Sequence, residues 1–436
     1  MLANTRRISS YSVYLILEGF YGLATATIFT VNLLYQFEIA HLNPLQLILV
    51  GTVLEISCFL CQVPTGVLAD LYSRRLSVIV GIVLTGLGFL LEGSIPNFWA
   101  IAGAMIFYGV GSTFVSGAEE AWVADELGEE RAGQAFLRGS QIGQFGSILG
   151  AFISVALASI RLNLPVLIGG GLIVLLGVFL CFVMPERGFK PTPRTERQSW
   201  RGFVSTFQKG FRAAWASPML LLILGVSLFY GFSSEGFDRL SLPHVQADFA
   251  IPTLGPFASV VWFGILAVVG NLLVLGATEL VQRRFNLGSQ RAMIGLLSAL
   301  TVLGMLGLLA FAFSGNFFLA IAAFWCVGIF RGVKSPIFSA WLIRNSEARV
   351  RATLISLDGQ MDALGQIAGG PPVGYLGNVF SLRIALAAVS AILAPVLLLY
   401  AAALRRVKAE PVGGTSLLQD VETCNDSVVL PDSSTF

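Results

Sequence analysis

The sequence predicts an all-α membrane protein: twelve transmembrane helices in two parallel six-helix pseudo-repeats. Three observations lead there. Only 12% of the 436 residues are charged while 55% are hydrophobic, and the mean hydropathy is +0.79; a soluble domain carries about 25% charged residues. Apolar runs recur along the whole chain and reach the roughly 20 residues that a membrane span needs. Short signatures of the first half also return, in the same order, in the second. The short alternating segments of a β-barrel are absent.

Taken in order, the spans are placed at 10–37, 43–69, 74–95, 97–124, 132–160 and 163–184, then at 217–240, 253–280, 290–313, 316–343, 352–379 and 382–404. This gives an N-terminal bundle over 1–184, a basic linker over 185–216, a C-terminal bundle over 217–404 and a Ser/Asp/Val/Pro tail over 405–436, expected to be disordered. Arg6 and Arg7 lead directly into the first span with no small-residue cleavage site, so no removable signal peptide is expected. Lysine and arginine placement orients the chain. With both termini cytoplasmic, Arg161, Arg239 and Arg383 fall outside and Arg331 and Lys334 within a span. The other basic residues lie in or beside cytoplasmic segments.

The repeat is parallel. Arg131-Ala132, Leu137, Gly139 and Gly150 recur as Arg351-Ala352, Leu357, Gly359 and Gly370, and Ala121-Trp122 recurs as Ala340-Trp341. Asp70, Arg74 and Arg75, after the second span, recur as Glu279, Arg283 and Arg284 after the eighth. A six-plus-six duplication is the arrangement of transporters whose binding site lies between two halves.

Several chemistries are disfavoured. Cys58, Cys61, Cys181, Cys326 and Cys424 form no disulfide framework, and Cys58-Phe-Leu-Cys61 lies within an apolar helix where cysteines pack. Two distant histidines, His41 and His244, do not make a metal centre. No nucleophile–base pair supports an enzyme, and no Gly-x4-Gly-Lys-Ser/Thr loop supports ATP-driven pumping. The expected partners are a small-molecule substrate, protons and the lipid bilayer, with no cofactor and no nucleic acid, and the chain is expected to act as a monomer.

Gly66-x-Leu68-Ala69-Asp70-x-x-x-Arg74-Arg75, the twelve spans and the basic central loop resemble the major facilitator superfamily, over the chain as far as Leu404. The segment departs from the family pattern at Leu71, where an arginine is frequent, and at Ser73, where a glycine is. The resemblance implies that Asp70 and Arg74 latch the two halves on the cytoplasmic side. The other reading is a helix-end charge pair that fixes topology. Gly111-Ser-Thr-Phe-Val-Ser-Gly117-Ala-Glu-Glu-Ala-Trp122-x-x-Asp125 and Leu357-Asp-Gly-Gln-x-Asp-Ala-Leu-Gly-Gln366 look like the macrolide- and tetracycline-efflux branch of drug:proton antiporters. The fourth-span arginine of many drug antiporters has no counterpart near Phe107, Tyr108 and Gly109. The fifth-span antiporter motif is echoed by Gly139, Gly143, Gly146 and Gly150 without its proline.

The residues themselves point to a central cavity. A charge at the bilayer centre costs at least about 2.5–3.5 kcal/mol, so it is kept where it meets water or a partner. Spans one, four, seven and ten hold Glu18, Glu119, Glu120, Glu235, Asp238, Arg239, Arg331 and Lys334; spans two, five, eight and eleven hold Glu55, Arg138, Asp358 and Asp362. Spans three, six, nine and twelve hold only Glu92, so every third helix can face lipid. Glu18 lies roughly 12 Å into its span at 1.5 Å per residue. It is the leading proton-titrating candidate, followed by Glu55 and Asp362, with Asp358, Glu119 and Glu120 behind. A permanent structural ion pair is the alternative for each.

Arg331 is expected within reach of Asp362, and Lys334 within reach of Glu119 or Glu120. Tyr14, Tyr21, Asn32, Tyr230, Ser234, Glu235, Trp325, Arg331, Gln360 and Gln366 are the candidate cavity wall, suited to bulky amphiphiles. Gly369-Gly370-Pro371-Pro372 is expected to break or bend the eleventh span. The function expected is proton-coupled efflux of hydrophobic or amphiphilic drugs. Export of an endogenous metabolite or siderophore, or proton-coupled solute symport, is the alternative.

Overall fold

A computed structural model describes residues 8–189, 215, 217–252, 258–284, 289–346 and 351–409. Most of the linker and tail expected at 185–216 and 405–436 lies outside these residues, as do Arg6 and Arg7. Among the described residues the chain is helical, with no strand.

The first half runs α1 (Ser10–Phe29), α2 (Asn32–Glu38), α3 (Pro44–Leu71), α4 (Arg74–Ser94), α5 (Phe98–Val115), α6 (Ala118–Leu127), α7 (Glu129–Ala158) and α8 (Leu164–Val183). The second half runs α9 (Pro218–Asp248), α10 (Ala258–Arg284), α11 (Gln290–Phe313), α12 (Phe317–Arg344), α13 (Arg351–Val379), α14 (Leu382–Ile392) and α15 (Ala394–Ala409). The two ends of the described chain share one end of the bundle, called here the terminal end; the other is the distal end.

The helix starts follow from side-chain capping of free backbone amides. Asn43 and Gln46 form a capping box ahead of Pro44, and Ser73 caps α4 inside the charged turn. Asn97, Ser217, Asn316 and Ser381 cap α5, α9, α12 and α14 in the same way. Gly117 and Gly128 have φ of +75° and +80°, a backbone conformation that glycine adopts without strain. They set off α6, with Glu119 and Glu120 in its first turn.

Among the described residues, eleven helical segments are long and apolar enough to cross a membrane, taking α1 with α2, α5 with α6 and α14 with α15 as single spans. The other long helix, α13, has 29 residues but carries Asp358, Gln360, Asp362 and Gln366 along it. Its low hydropathy fits its place, since it packs between α9 and α3. Of the break or bend expected at Gly369-Gly370-Pro371-Pro372, the break does not occur: α13 runs through both prolines. Gly369 and Gly370 just before them let neighbours approach closely: a Cβ at Gly369 would run into the Phe232 backbone of α9, and one at Gly370 would lie 2.9 Å from Ile48 of α3.

The residues of the expected lipid-facing helices present apolar side chains outward, as Phe182 and Leu175 on α8, Leu303 and Leu306 on α11, and Leu398 on α15 show. Two hydrophobic cores form. One draws on residues from Val13 to Met184; the other is centred on residues 220–403 and adds Val31, Leu34, Ile48 and Ala158 from the first half. Close backbone approach binds corresponding helices in each half. A Cβ at Gly146 of α7 would run into the Gly19 carbonyl of α1, and one at Gly365 of α13 would run into the Leu228 carbonyl of α9.

The halves meet at the distal end. Gly374 of α13 lies against Leu45 and Ile48 of α3, and Gly377 against Pro44. Gln246 Nε2 of α9 donates to Glu38 Oε1 of α2 at 2.5 Å. Nearer the terminal end, Gln360 Nε2 donates to Gln62 Oε1 at 2.6 Å. Every ion pair among the described residues stays within one half.

Candidate functional site

Charged and polar side chains gather in the interior in two groups. In the first half, the Tyr14 hydroxyl donates to Glu18 Oε1 at 2.9 Å. These residues are one helical turn apart and share a face of α1. The Glu119 carboxyl, from the first turn of α6, is close enough to interact directly with Glu18, and its Oε1 is buried without a hydrogen-bond partner. Glu18 Oε2 faces Gly143 of α7, where a Cβ would sit 3.3 Å away. Tyr21 lies beside the pair, half-buried, while Glu120 is exposed. Among the described residues no basic group is within 4.0 Å of Glu18, Glu119, Glu120, Glu55, Asp358 or Asp362.

In the second half, a cavity of about 410 Å³ opens among α9, α12, α13 and α14. Tyr230, Ser234, Asp238, Arg331, Lys334, Asp362 and Gln366 are among its lining residues. Arg331 forms a two-pronged ion pair with Asp238, with Nη2 2.7 Å from Oδ2. Arg331 therefore does not pair with Asp362, contrary to the expectation from depth; Asp362 instead accepts from Gln366 Nε2 at 2.8 Å. Lys334 does not reach Glu119 or Glu120. Its Nζ sits 3.4 Å from the centre of the Tyr230 ring. The Tyr230 hydroxyl is fixed by Thr301 at 2.7 Å and Tyr400 at 3.0 Å. Asp358 accepts from the Ser227 hydroxyl.

Between the two groups, Glu55 of α3 faces the charges of Glu235, Asp362, Arg239 and Asp238. Glu235 and Arg239 pair at 2.9 Å, and both are largely buried. Several expected wall residues do not line the second-half cavity. The Trp325 indole donates to the Leu266 carbonyl of α10 at 3.2 Å. Gln360 takes part in the cross-half bond with Gln62. Asn32 is buried on α2, near Glu92.

Sequence reading undervalued Glu92. It is fully buried, with Oε1 accepting from Gln36 Nε2 at 2.7 Å while the Tyr35 hydroxyl donates to its backbone carbonyl at 2.6 Å. Asn32 and Gln36, four apart on one helix face, were the signal that could have found it.

At the terminal end, Arg74 reaches Asp70 at 3.6 Å and pairs closely with Asp125 of α6, and its Nη1 also donates to the Ala121 carbonyl at 2.8 Å. The Arg75 amide and the Ser73 hydroxyl donate to Glu186 at 3.0 and 2.7 Å. Asp125 and Glu186 are thus the partners that the sequence did not reveal. In the second half Arg283 pairs with Glu279 at 2.6 Å on an exposed surface, and Arg284 is exposed. In this conformation, among the described residues, none of these side chains forms an ion pair across the two halves.

Residues 14–357 match the family described as the Major Facilitator Superfamily. The chain belongs to that superfamily. A relative in Bacillus subtilis (strain 168), the uncharacterized MFS-type transporter YxaM, is 23% identical over 394 residues, which are 89% of this chain and 94% of the relative. Among solved structures, the nucleoside transporter NupG superposes with a TM-score of 0.74 at 14% identity, covering 91% of this chain and all of that one. A bacterial homologue of the human lysosomal transporter Spinster, in an inward-facing and unoccupied conformation, gives 0.72 at 14% identity, covering 92% and 98%. At such identities these structures establish the shared fold. This superfamily member is therefore a multi-pass membrane transporter, and a transporter binds small-molecule substrates.

Proposed function

We propose that this superfamily member is a proton-coupled secondary transporter that exports hydrophobic or amphiphilic small molecules, drugs among them, by alternating access. The observation that carries the proton coupling is the Glu18–Glu119 pair. Two neighbouring carboxyls, Glu18 hydrogen-bonded by Tyr14 and neither with a basic group within 4.0 Å among the described residues, can take up and release a proton. Glu55 and Asp362 sit on helices that meet across the halves and are the next candidates. Closure at the distal end supports alternating access, because the halves must part there for the cavity to open on the other side.

Export follows from the resemblance of Gly111–Asp125 and Leu357–Gln366 to the efflux branch. In this account the protein is a monomer in a bacterial cytoplasmic membrane with both termini cytoplasmic. The halves over 1–184 and 217–404 rock as units, and Asp70, Arg74, Arg75, Glu279, Arg283 and Arg284 latch them when the terminal end closes. A second reading, uptake by symport or export of an endogenous metabolite or siderophore, is favoured by the charged lining of the second-half cavity.

Uptake of a drug panel into inverted vesicles, with and without an uncoupler, tests the proposal. Accumulation of at least one amphiphile that collapses with the uncoupler is expected; transport indifferent to the uncoupler throughout overturns proton coupling.

A further inference from the structure

The basic residues inside the bundle differ in how they are balanced. Arg239 is paired with Glu235, and Arg331 is held at two points by Asp238. Lys334 alone lines the cavity with no carboxylate within 4.0 Å among the described residues. Its ammonium rests on the face of Tyr230, 3.4 Å from the ring centre, with Phe338 at 5.8 Å. A cation over an aromatic face gains less than the insertion cost of a charge within the membrane. Such a charge is kept where a further partner arrives.

The cavity shows what that partner is. Its carboxylate Asp362 already accepts from Gln366, and Asp238 is committed to Arg331. Asp362 and Lys334 remain as one negative and one positive charge more than 4.0 Å apart, and the Lys334 ammonium, with no carboxylate in contact among the described residues, has room for one. A single carboxylate matches it, whereas a dianionic phosphate would add a second negative charge beside Asp362. Phe237, Phe330 and Leu308 supply an apolar wall, and a cavity of about 410 Å³ admits a small ring system.

We propose that the second-half cavity binds an amphiphilic organic monoanion through its carboxylate, with Lys334 as the ionic anchor and Tyr230 holding the ammonium in place. This names the substrate class for the transport function proposed above and rests on it.

The test uses the full chain in lipid nanodiscs and two matched probe pairs, naphthoate with naphthamide and indole-3-acetate with indole-3-acetamide, with binding measured by titration calorimetry. In the unaltered protein the acid should bind about tenfold or more tightly than its amide, the scale of one charged hydrogen bond. Lys334→Gln should abolish that preference while leaving amide binding unchanged, and Lys334→Arg should retain part of it.

Acids that bind no better than amides, or a preference that survives Lys334→Gln, overturn the assignment. If Lys334→Gln does not fold, the comparison in the unaltered protein decides alone. Failure of the transport reading looks different: the acid preference stands, but proteoliposomes show no uncoupler-sensitive movement of the acid.

Discussion

Glu235 of the second half is seated in the notch left by Gly51 of the first. A Cβ at Gly51 would overlap Glu235 Oε1 and lie 2.6 Å from Arg239 Nε. The buried Glu235–Arg239 pair thus occupies the space that a side chain at position 51 would take, one of the contacts between α9 and α3. The nearby Gln246–Glu38 hydrogen bond closes the same seam.

Gly51→Val should therefore hold the distal end apart. The expected result is loss of transport by tenfold or more with expression intact. Spin labels at positions 38 and 246 should report a longer distance than in the otherwise unaltered labelled protein. An unchanged distance would show that the seam tolerates the side chain and would remove the notch from the account.

The terminal-end turn depends on Arg74 and Asp125. This pair is about one-quarter exposed, between a surface pair and a fully buried one. Asp125→Asn should cost about 1–3 kcal/mol, read as a lower thermal unfolding temperature in detergent. Glu279→Gln, in the exposed pair with Arg283, should leave that temperature nearly unchanged.

The glycine seams of the two halves should respond alike. Gly146→Leu and Gly365→Leu each press a side chain into a facing backbone carbonyl, and overpacking of this kind costs about 1–3 kcal/mol. Both variants should unfold earlier on heating. Gly276→Leu, a position with nothing within 4 Å, should not.

Much of the fold could be read from residue chemistry alone. Sorting charges by helix left the third, sixth, ninth and twelfth spans almost free of them, because an unpaired charge in lipid is costly; exposed apolar residues, found on α7 and α10 as well as on α8 and α11, do not by themselves mark which helices face lipid. The pairing of those charges was not legible. Arg331 and Asp362 match in depth, yet Arg331 finds Asp238, because the rotation of α12 about its axis decides which carboxylate it faces and depth does not report rotation. Lys334 turned to an aromatic ring for the same reason. Pro371-Pro372 reads as a break in sequence, but packing against α3 and α9 keeps α13 helical. Glu92 looked peripheral by its place near a span end, and only the fold puts it beneath Gln36 and Tyr35.

The central claim is that the interior carboxyls of the first half carry protons in exchange for substrate. Proton flux in proteoliposomes with a pH-sensitive dye in the lumen measures this directly. On adding a transported amphiphile, the unaltered protein should move protons opposite to the substrate. Glu18→Gln should abolish that flux while still binding the amphiphile, and Tyr14→Phe should slow it several-fold. Proton movement that persists unchanged in Glu18→Gln and in Glu119→Gln would contradict the claim.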